Sequence, residues 1–287
     1  MGSFLGFLAY YLWRPRTEIA LGNLNRAWVG EKSAGELRQI ARRMYQNFGK
    51  GLIEFLRLQL LTSENLHNYI TFEGLSHLEE ARDQGRGVFL LAAHFGNWEM
   101  LSAAIALRGI PFNPLVKRIR NSQMDAFINE IRRGSGVNPI DKQQGIGEML
   151  RVLRNNETVG FVLDQHASGS EGIPVKFFDQ EVSAFKSLAM LARRYRVPIV
   201  PIFIIREQLG FHRVVFEPAL ALCKGKSMHD SILDDTQQCM NVLERFIRHY
   251  PDHWIWLHRC WRTPSPQARG ECKFVPVHRD NRDKAFS

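Results

Sequence analysis

One stretch of this chain restricts its fold more than any other. An apolar run ends on a histidine, turns through a glycine and resumes as a helix: Gly87-Val-Phe-Leu-Leu-Ala-Ala-His94-Phe-Gly-Asn97-Trp98-Glu99-Met-Leu. Val88–Ala93 and Thr158–Leu163 are almost wholly apolar, as strands covered on both faces must be. Shorter strand-like runs follow at Pro114–Val116, Ile199–Ile205 and Val214–Phe216. Between them lie segments with helical spacing: Trp98–Arg108, Ser122–Arg133, Ile146–Asn155, Ser183–Arg196 and Ser231–Tyr250. Such alternation predicts an α/β fold, a central mostly parallel sheet flanked by helices. No internal repeat and no linker rich in Gly, Ser or Pro divides it, so we expect one α/β core over residues 66–262.

Before the core the pattern is helical. Ser33-Ala-Gly-Glu36 is a capping box, and Leu37, Ile40, Met44, Phe48, Leu52, Phe55 and Leu56 recur at helical spacing within Ser33–Leu61. Glu18–Trp28 is a shorter amphipathic candidate. The first ten apolar residues, Phe4–Trp13, are half of what a membrane-spanning helix needs. They lack the basic start of a signal peptide, and Gly6 stands where a myristoylation signal has Ser or Thr. With no polar face to leave in water, the run reads best as an interfacial anchor with Arg14 and Arg16 facing anionic lipid. A first helix that packs in the core is the other reading. Residues 1–65 are thus expected to be a helical, membrane-contacting segment, and 263–287 a polar, mobile tail.

The chain carries 38 Lys and Arg against 29 Asp and Glu, a net charge of +9, which suits an anionic partner. Lys117, Arg118, Arg120, Arg132 and Arg133 are close in sequence and form either a binding cluster or an ordinary solvated basic face. Cys223, Cys239, Cys260 and Cys272 show no C-x-x-C pairing and are expected as reduced thiols. No H-E-x-x-H or Cys/His spacing accompanies His94, Glu99, Asp164 and His166, so neither metal nor cofactor is expected.

In open α/β sheets ligands bind where a strand's carboxyl end meets a helix N-terminus. There, folded across a strand–turn–helix, Glu99 can accept a hydrogen bond from one His94 nitrogen while the other takes a proton. No Ser or Cys nucleophile stands beside the pair, so the proton would come from a substrate hydroxyl. Spacing alone leaves this level with a plainer reading, in which His94 caps a turn and Glu99 suits the helix N-terminus. Asn97 and Gly96 can offer an amide or backbone N–H, although for Asn97 a helix N-cap serves equally well. Asp164, at the end of its strand on the same side as His94, either lines the site or satisfies a turn.

These residues carry a resemblance. His94-Phe-Gly-Asn-Trp-Glu99 is similar to the H-x4-(D/E) motif, in its Glu form, of the bacterial lipid A biosynthesis acyltransferases. These are the lauroyl and myristoyl transferases of the lysophospholipid acyltransferase superfamily. Ala20-Leu-Gly-Asn23-Leu24, Val116-Lys-Arg118-Ile-Arg-Asn121, Phe161-Val-Leu-Asp164-Gln165, Val197-Pro198-Ile-Val-Pro201 and Phe216-Glu217-Pro218 resemble further family blocks. Trp254-Ile-Trp256-Leu-His258-Arg259-Cys-Trp261-Arg resembles the closing signature. The likeness runs in order over residues 15 to 263. It implies an O-acyltransferase, with His94 as general base and Glu99 as its charge partner. Arg118 would bind the acceptor's phosphate or the oxyanion, Asn97 and Asp164 would assist substrate binding, and His166 would tune acceptor choice. The donor would be the thioester of an acyl carrier protein or coenzyme A. The acceptor would be a membrane glycolipid, foremost a lipid A precursor, at the cytoplasmic face of the bacterial inner membrane.

Other functions remain to be weighed. The same pair acting on water would make a thioesterase, and other lysolipid or glycolipid acceptors are compatible with the chemistry. The aromatic and basic run His253–Arg262 reads as a membrane-interface belt, as simple Trp packing or as a stacking surface for single strands. No nucleic-acid module accompanies it, and a nucleic-acid partner is not expected.

Overall fold

The computed structural model describes residues 1–142, 145–258 and 261. Three helices come first: α1 (Gly2–Leu12), α2 (Arg14–Ala27) and α3 (Ala34–Leu56). The capping box at the start of α3 is formed as the sequence predicts, with Ser33 N donating to Glu36 and Ser33 Oγ accepting from Glu36 N. Strands and helices then alternate: β1 (Ile70–Glu73), α4 (Leu75–Arg82), β2 (Val88–Ala92), α5 (Trp98–Leu107), β3 (Phe112–Val116), α6 (Ser122–Gly134), β4 (Ile140–Asp141), α7 (Gly145–Arg154) and β5 (Thr158–Val162). A hairpin, β6 (Gly172–Phe177) and β7 (Gln180–Phe185), precedes α8 (Ser187–Tyr195), β8 (Ile199–Arg206), β9 (His212–Phe216) and α9 (Met228–His249).

Seven strands form one sheet in the order β1-β9-β8-β2-β5-β3-β4, parallel throughout except between β8 and β9. The expected α/β architecture with a mostly parallel sheet is what the chain adopts. β2 and β5 lie at its centre, which explains why their sequences are apolar at nearly every position. Alternate residues of β2 serve two cores. Val88, Leu90 and Ala92 face α4 and α5, whereas Phe89 and Leu91 join a larger cluster with α8, α9, Trp254 and Trp256. Leu24, Trp28, Met44 and Tyr45 from the N-terminal helices belong to that second cluster.

α1 is attached to α3 by backbone contact. Gly2, Gly6 and Tyr10 form its buried stripe, and a Cβ on Gly6 would collide with the Tyr45 carbonyl oxygen. Its other side leaves Phe4, Leu5, Leu8, Tyr11 and Leu12 exposed, and α3 exposes Phe48, Leu52 and Leu56. The core-packing reading of this run therefore holds for one side of the helix, and the other side is exposed. No helix among the described residues is long and apolar enough to cross a membrane. Arg16 stays exposed, and its Nη1 donates to the Leu257 carbonyl at 3.3 Å, which ties α2 to the C-terminal segment.

The helix expected over Ser183–Arg196 starts only at Ser187, because Gln180–Phe185 pairs with Gly172–Phe177. Phe178 and Asp179 both have positive φ in the two-residue turn. Hairpins of that kind usually announce themselves with Asn-Gly or Asp-Gly, and Phe-Asp gives no such signal. Tertiary contacts hold it instead: Phe178 packs on Trp28 and Trp256, and its N–H donates to Glu244 at 2.6 Å. The expected tail, 263–287, and Cys260 and Cys272 lie outside the described residues. Cys223 and Cys239 are free thiols.

Candidate active site

The parallel register of β2 and β5 pairs Ala92 with Val162. Two residues further along each strand, His94 and Asp164 therefore emerge opposite one another at the carboxyl edge of the sheet. His94 Nδ1–H donates to Asp164 Oδ1 at 2.9 Å, and the His94 backbone N–H donates to Oδ2 at 2.7 Å. Trp254 Nε1 donates to the same oxygen at 2.7 Å. The Asp164 side chain is fully buried, while that of His94 remains 21% exposed. Burial pushes the Asp164 carboxyl upward, but the His94 charge and the hydrogen bonds from His94 and Trp254 bring it below the usual carboxylate range. Burial likewise opposes a charge on His94, yet the Asp164 carboxylate, with Glu99 further off, raises its pKa above the ordinary histidine value.

Glu99 does not occupy the place expected of it. Its two oxygens accept from Arg132 Nε at 2.9 Å and Nη2 at 2.6 Å, so α5 is clamped to α6 by a bidentate ion pair. Glu99 stands in the first turn of α5, beyond the turn that carries His94, and reaches the imidazole only through its field. The hydrogen-bonded acidic partner of His94 is Asp164.

Asn97 is the N-cap of α5: its Oδ1 accepts from Met100 N at 3.1 Å, and its Nδ2 donates to Glu54 Oε2 at 2.8 Å. Of the two roles expected for Asn97, the N-cap is formed, and its amide also braces Glu54. Gly96, likewise expected to offer its N–H, donates it to the His253 carbonyl at 2.8 Å. Gly96 has φ +59°, and a Cβ there would strike the Ile204 carbonyl, so only glycine fits this turn. Arg118 follows β3, two strands from β2 and so ~10 Å across the sheet edge. Its Nε pairs with Asp141 Oδ2 at 2.9 Å, and its side chain is 69% exposed. Of the five basic residues close in sequence, Arg118 and Arg132 thus already have acidic partners. His166 lines a small cavity with Asp164, Phe177 and Met240.

The closing signature builds one wall of the site. Ile255 N donates to His94 O at 3.1 Å, Phe95 bridges to Trp254, and Trp254 and Trp256 are buried. Simple packing is therefore the reading that holds for these tryptophans. Arg259 and Arg262 of that run lie outside the described residues. Asn23 of α2 fastens the wall, its Nδ2 donating to Trp256 O at 2.8 Å and His258 O at 2.6 Å. The early Ala20-Leu-Gly-Asn23-Leu24 element and the closing signature thus meet in space. The His258 ring lies 5.0 Å from that of His94, and Trp98 lies 5.2 Å from it, edge to face.

Sequence reasoning missed a polar support beneath the turn. Glu54 of α3 pairs with Arg206, its Oε2 accepting from Nη2 at 2.6 Å as well as from Asn97. Burial works against the Glu54 charge, but Arg206 and the hydrogen bond from Asn97 keep its pKa low. His212, buried nearby, is held neutral, its pKa pushed down to about 4 by burial and by Arg206. Only helical periodicity marked α3, and periodicity does not single out one glutamate.

A neutral imidazole steadied at Nδ1 by a buried carboxylate is suited to accept a proton at Nε2, the first step of acyl transfer to a hydroxyl. The sequence matches the bacterial lipid A biosynthesis acyltransferase family over residues 1–263. It is similar to a lipid A biosynthesis acyltransferase of Haemophilus influenzae, 21% identical with 91% of this chain and 86% of the relative covered. Against the lipid A biosynthesis lauroyltransferase of Escherichia coli it is 24% identical, over 92% and 84% of the two chains. A phosphatidylinositol mannoside acyltransferase of Mycobacterium tuberculosis is 23% identical, over 78% and 71%. The chain is an acyltransferase, and it belongs to the bacterial lipid A biosynthesis acyltransferase family.

Proposed function

We propose that this enzyme moves a fatty acyl group from an acyl carrier protein thioester to a hydroxyl of a membrane glycolipid, with a lipid A precursor as the preferred acceptor. The observation that carries this reading is the 2.9 Å contact between His94 Nδ1 and buried Asp164. His94 Nε2 takes the hydroxyl proton as the acceptor oxygen attacks the thioester carbonyl. The intermediate collapses with cleavage of the C–S bond, and the leaving thiolate recovers the proton from His94. Asp164 holds the tautomer and supports the imidazolium, a contribution of ~10²–10⁴-fold for a well-placed base. The Glu99–Arg132 pair fixes α5 against α6 and adds a more distant negative charge. Arg118, at the carboxyl edge of the sheet, meets a phosphate of the acceptor.

Residues 1–65 supply the contact with the cytoplasmic face of the bacterial inner membrane. Phe4, Leu8, Leu12, Phe48 and Leu52 are the apolar side chains available for it, and the basic surplus favours anionic headgroups. Residues 66–262 form the catalytic core. The acidic surface of an acyl carrier protein suits the same surplus better than coenzyme A does, because it spans more of the surface.

The test is incubation with a lauroyl thioester of acyl carrier protein or of coenzyme A and a lipid A precursor, followed by mass spectrometry of the lipids. A new ester on the precursor is the expected product. Free fatty acid alone would mean hydrolysis, the thioesterase reading. Transfer only to a phosphatidylinositol mannoside, the acceptor named for the mycobacterial relatives, would reassign the acceptor and leave the chemistry standing.

A further inference from the structure

His258 has no part in the steps above, yet it lies beside the proposed base. Its ring and that of His94 are 5.0 Å apart between centroids and inclined at 48°. It is carried on a segment bound to the reacting turn through Ile255 N to His94 O, and its own carbonyl is gripped by Asn23. Burial and the neighbouring His94 charge lower its pKa, so at neutral pH it keeps one N–H and no charge. A neutral imidazole there is a hydrogen-bond donor that does not repel the imidazolium formed on His94.

Acyl transfer leaves negative charge on the thioester oxygen, and that charge needs a donor. The donors first expected for it are engaged elsewhere. Gly96 N–H serves the His253 carbonyl, and one N–H of the Asn97 amide serves Glu54; the Phe95 N–H, between them and His94, serves the Ala93 carbonyl. The Trp254 indole and the His94 N–H both serve Asp164. Arg132 is taken by Glu99, and Arg118 stands two strands away.

We propose that His258 is a catalytic residue that contacts the acyl donor, its ring N–H donating to the thioester carbonyl oxygen. The inference rests on the reading of His94 as base. As the acceptor oxygen bonds to the carbonyl carbon, the C=O π electrons move onto oxygen and the His258 hydrogen bond strengthens. The N–H keeps its proton throughout; the proton in flight travels from the hydroxyl to His94 and on to the thiolate.

The experiment is steady-state kinetics of His258→Phe, which keeps a ring without a donor, and His258→Gln, which keeps a donor without the ring. His94→Ala is assayed beside them with the lauroyl thioester of acyl carrier protein. Removing one oxyanion donor typically costs ~10²–10³-fold in kcat, and His258→Phe should fall in that range with the donor KM little changed. His258→Gln should recover at least about tenfold of the loss, since an amide N–H can stand in for the imidazole's. If His258→Phe keeps its kcat, or loses it equally with His258→Gln, the proposal is overturned. His258→Leu provides a second donor-free variant if the Phe variant fails to fold. An inactive His94→Ala beside an active His258→Phe removes His258 alone, whereas an active His94→Ala removes the whole reading of the site.

Discussion

Two acidic–basic pairs stand at the same edge of the sheet, and they differ in kind. His94 and Asp164 come from adjacent central strands, share two hydrogen bonds, and bury the carboxylate completely. Glu99 and Arg132 come from neighbouring helices, and both side chains keep some solvent, 15% and 19% exposed. The first pair contains a group that can gain and lose a proton near neutral pH; the second joins a carboxylate to a permanently charged guanidinium. The five-residue spacing of the sequence motif suggests that Glu99 serves His94, whereas strand register gives that place to Asp164. Proximity in sequence and proximity in the site are different things when a strand, a turn and a helix intervene.

Four substitutions sharpen this comparison. His94→Ala should abolish transfer with the circular dichroism spectrum and melting profile retained; substantial residual turnover would remove His94 as base. Asp164→Asn comes next, with an expected fall in kcat of ~10²–10⁴-fold because the tautomer and the imidazolium both lose support. The pH profile separates it from a general loss of structure. His94 must be neutral to act, so kcat/KM rises with pH through its pKa, which Asp164 raises above the usual value of about 6.5. Without that carboxylate burial prevails, and the acid limb should move to lower pH.

Glu99→Gln should have a smaller effect, about tenfold, with only a slight shift of the same limb in the same direction. Its loss costs a distant charge and the α5–α6 clamp rather than the bond to the imidazole. A Glu99→Gln defect equal to that of Asp164→Asn would erase the distinction between the pairs. Smallest of all, Arg118→Ala should raise the acceptor KM by up to about tenfold and leave kcat unchanged, since exposed ion pairs contribute little to stability. An unaltered acceptor response would take Arg118 out of the site.

The strand–turn–helix at 87–101 was readable because buried parallel strands must be apolar throughout and a helix must be capped. Val88–Ala93 announces the first requirement and Asn97 the second. The partner of His94 was less legible, although its signal was present. Thr158–Leu163 is a second, almost wholly apolar run that leads into an acid, and pairing it in register with Val88–Ala93 sets Asp164 against His94. That signal needs strand order, which the sequence does not print. Glu54 and Arg206 were harder still, since a glutamate on an amphipathic helix looks alike whether it meets solvent or a buried arginine. The Phe178-Asp179 turn defeats local rules because packing against Trp28 and Trp256 holds backbone angles that neither residue prefers.

The central claim is that Asp164 governs the protonation of His94. Its most direct test is the imidazole titration of His94, followed by nitrogen-15 NMR in the unaltered enzyme, Asp164→Asn and Glu99→Gln. The account predicts a raised pKa with the proton on Nδ1 in the neutral form, a large drop in Asp164→Asn and a small one in Glu99→Gln. A large drop in Glu99→Gln with none in Asp164→Asn would contradict it.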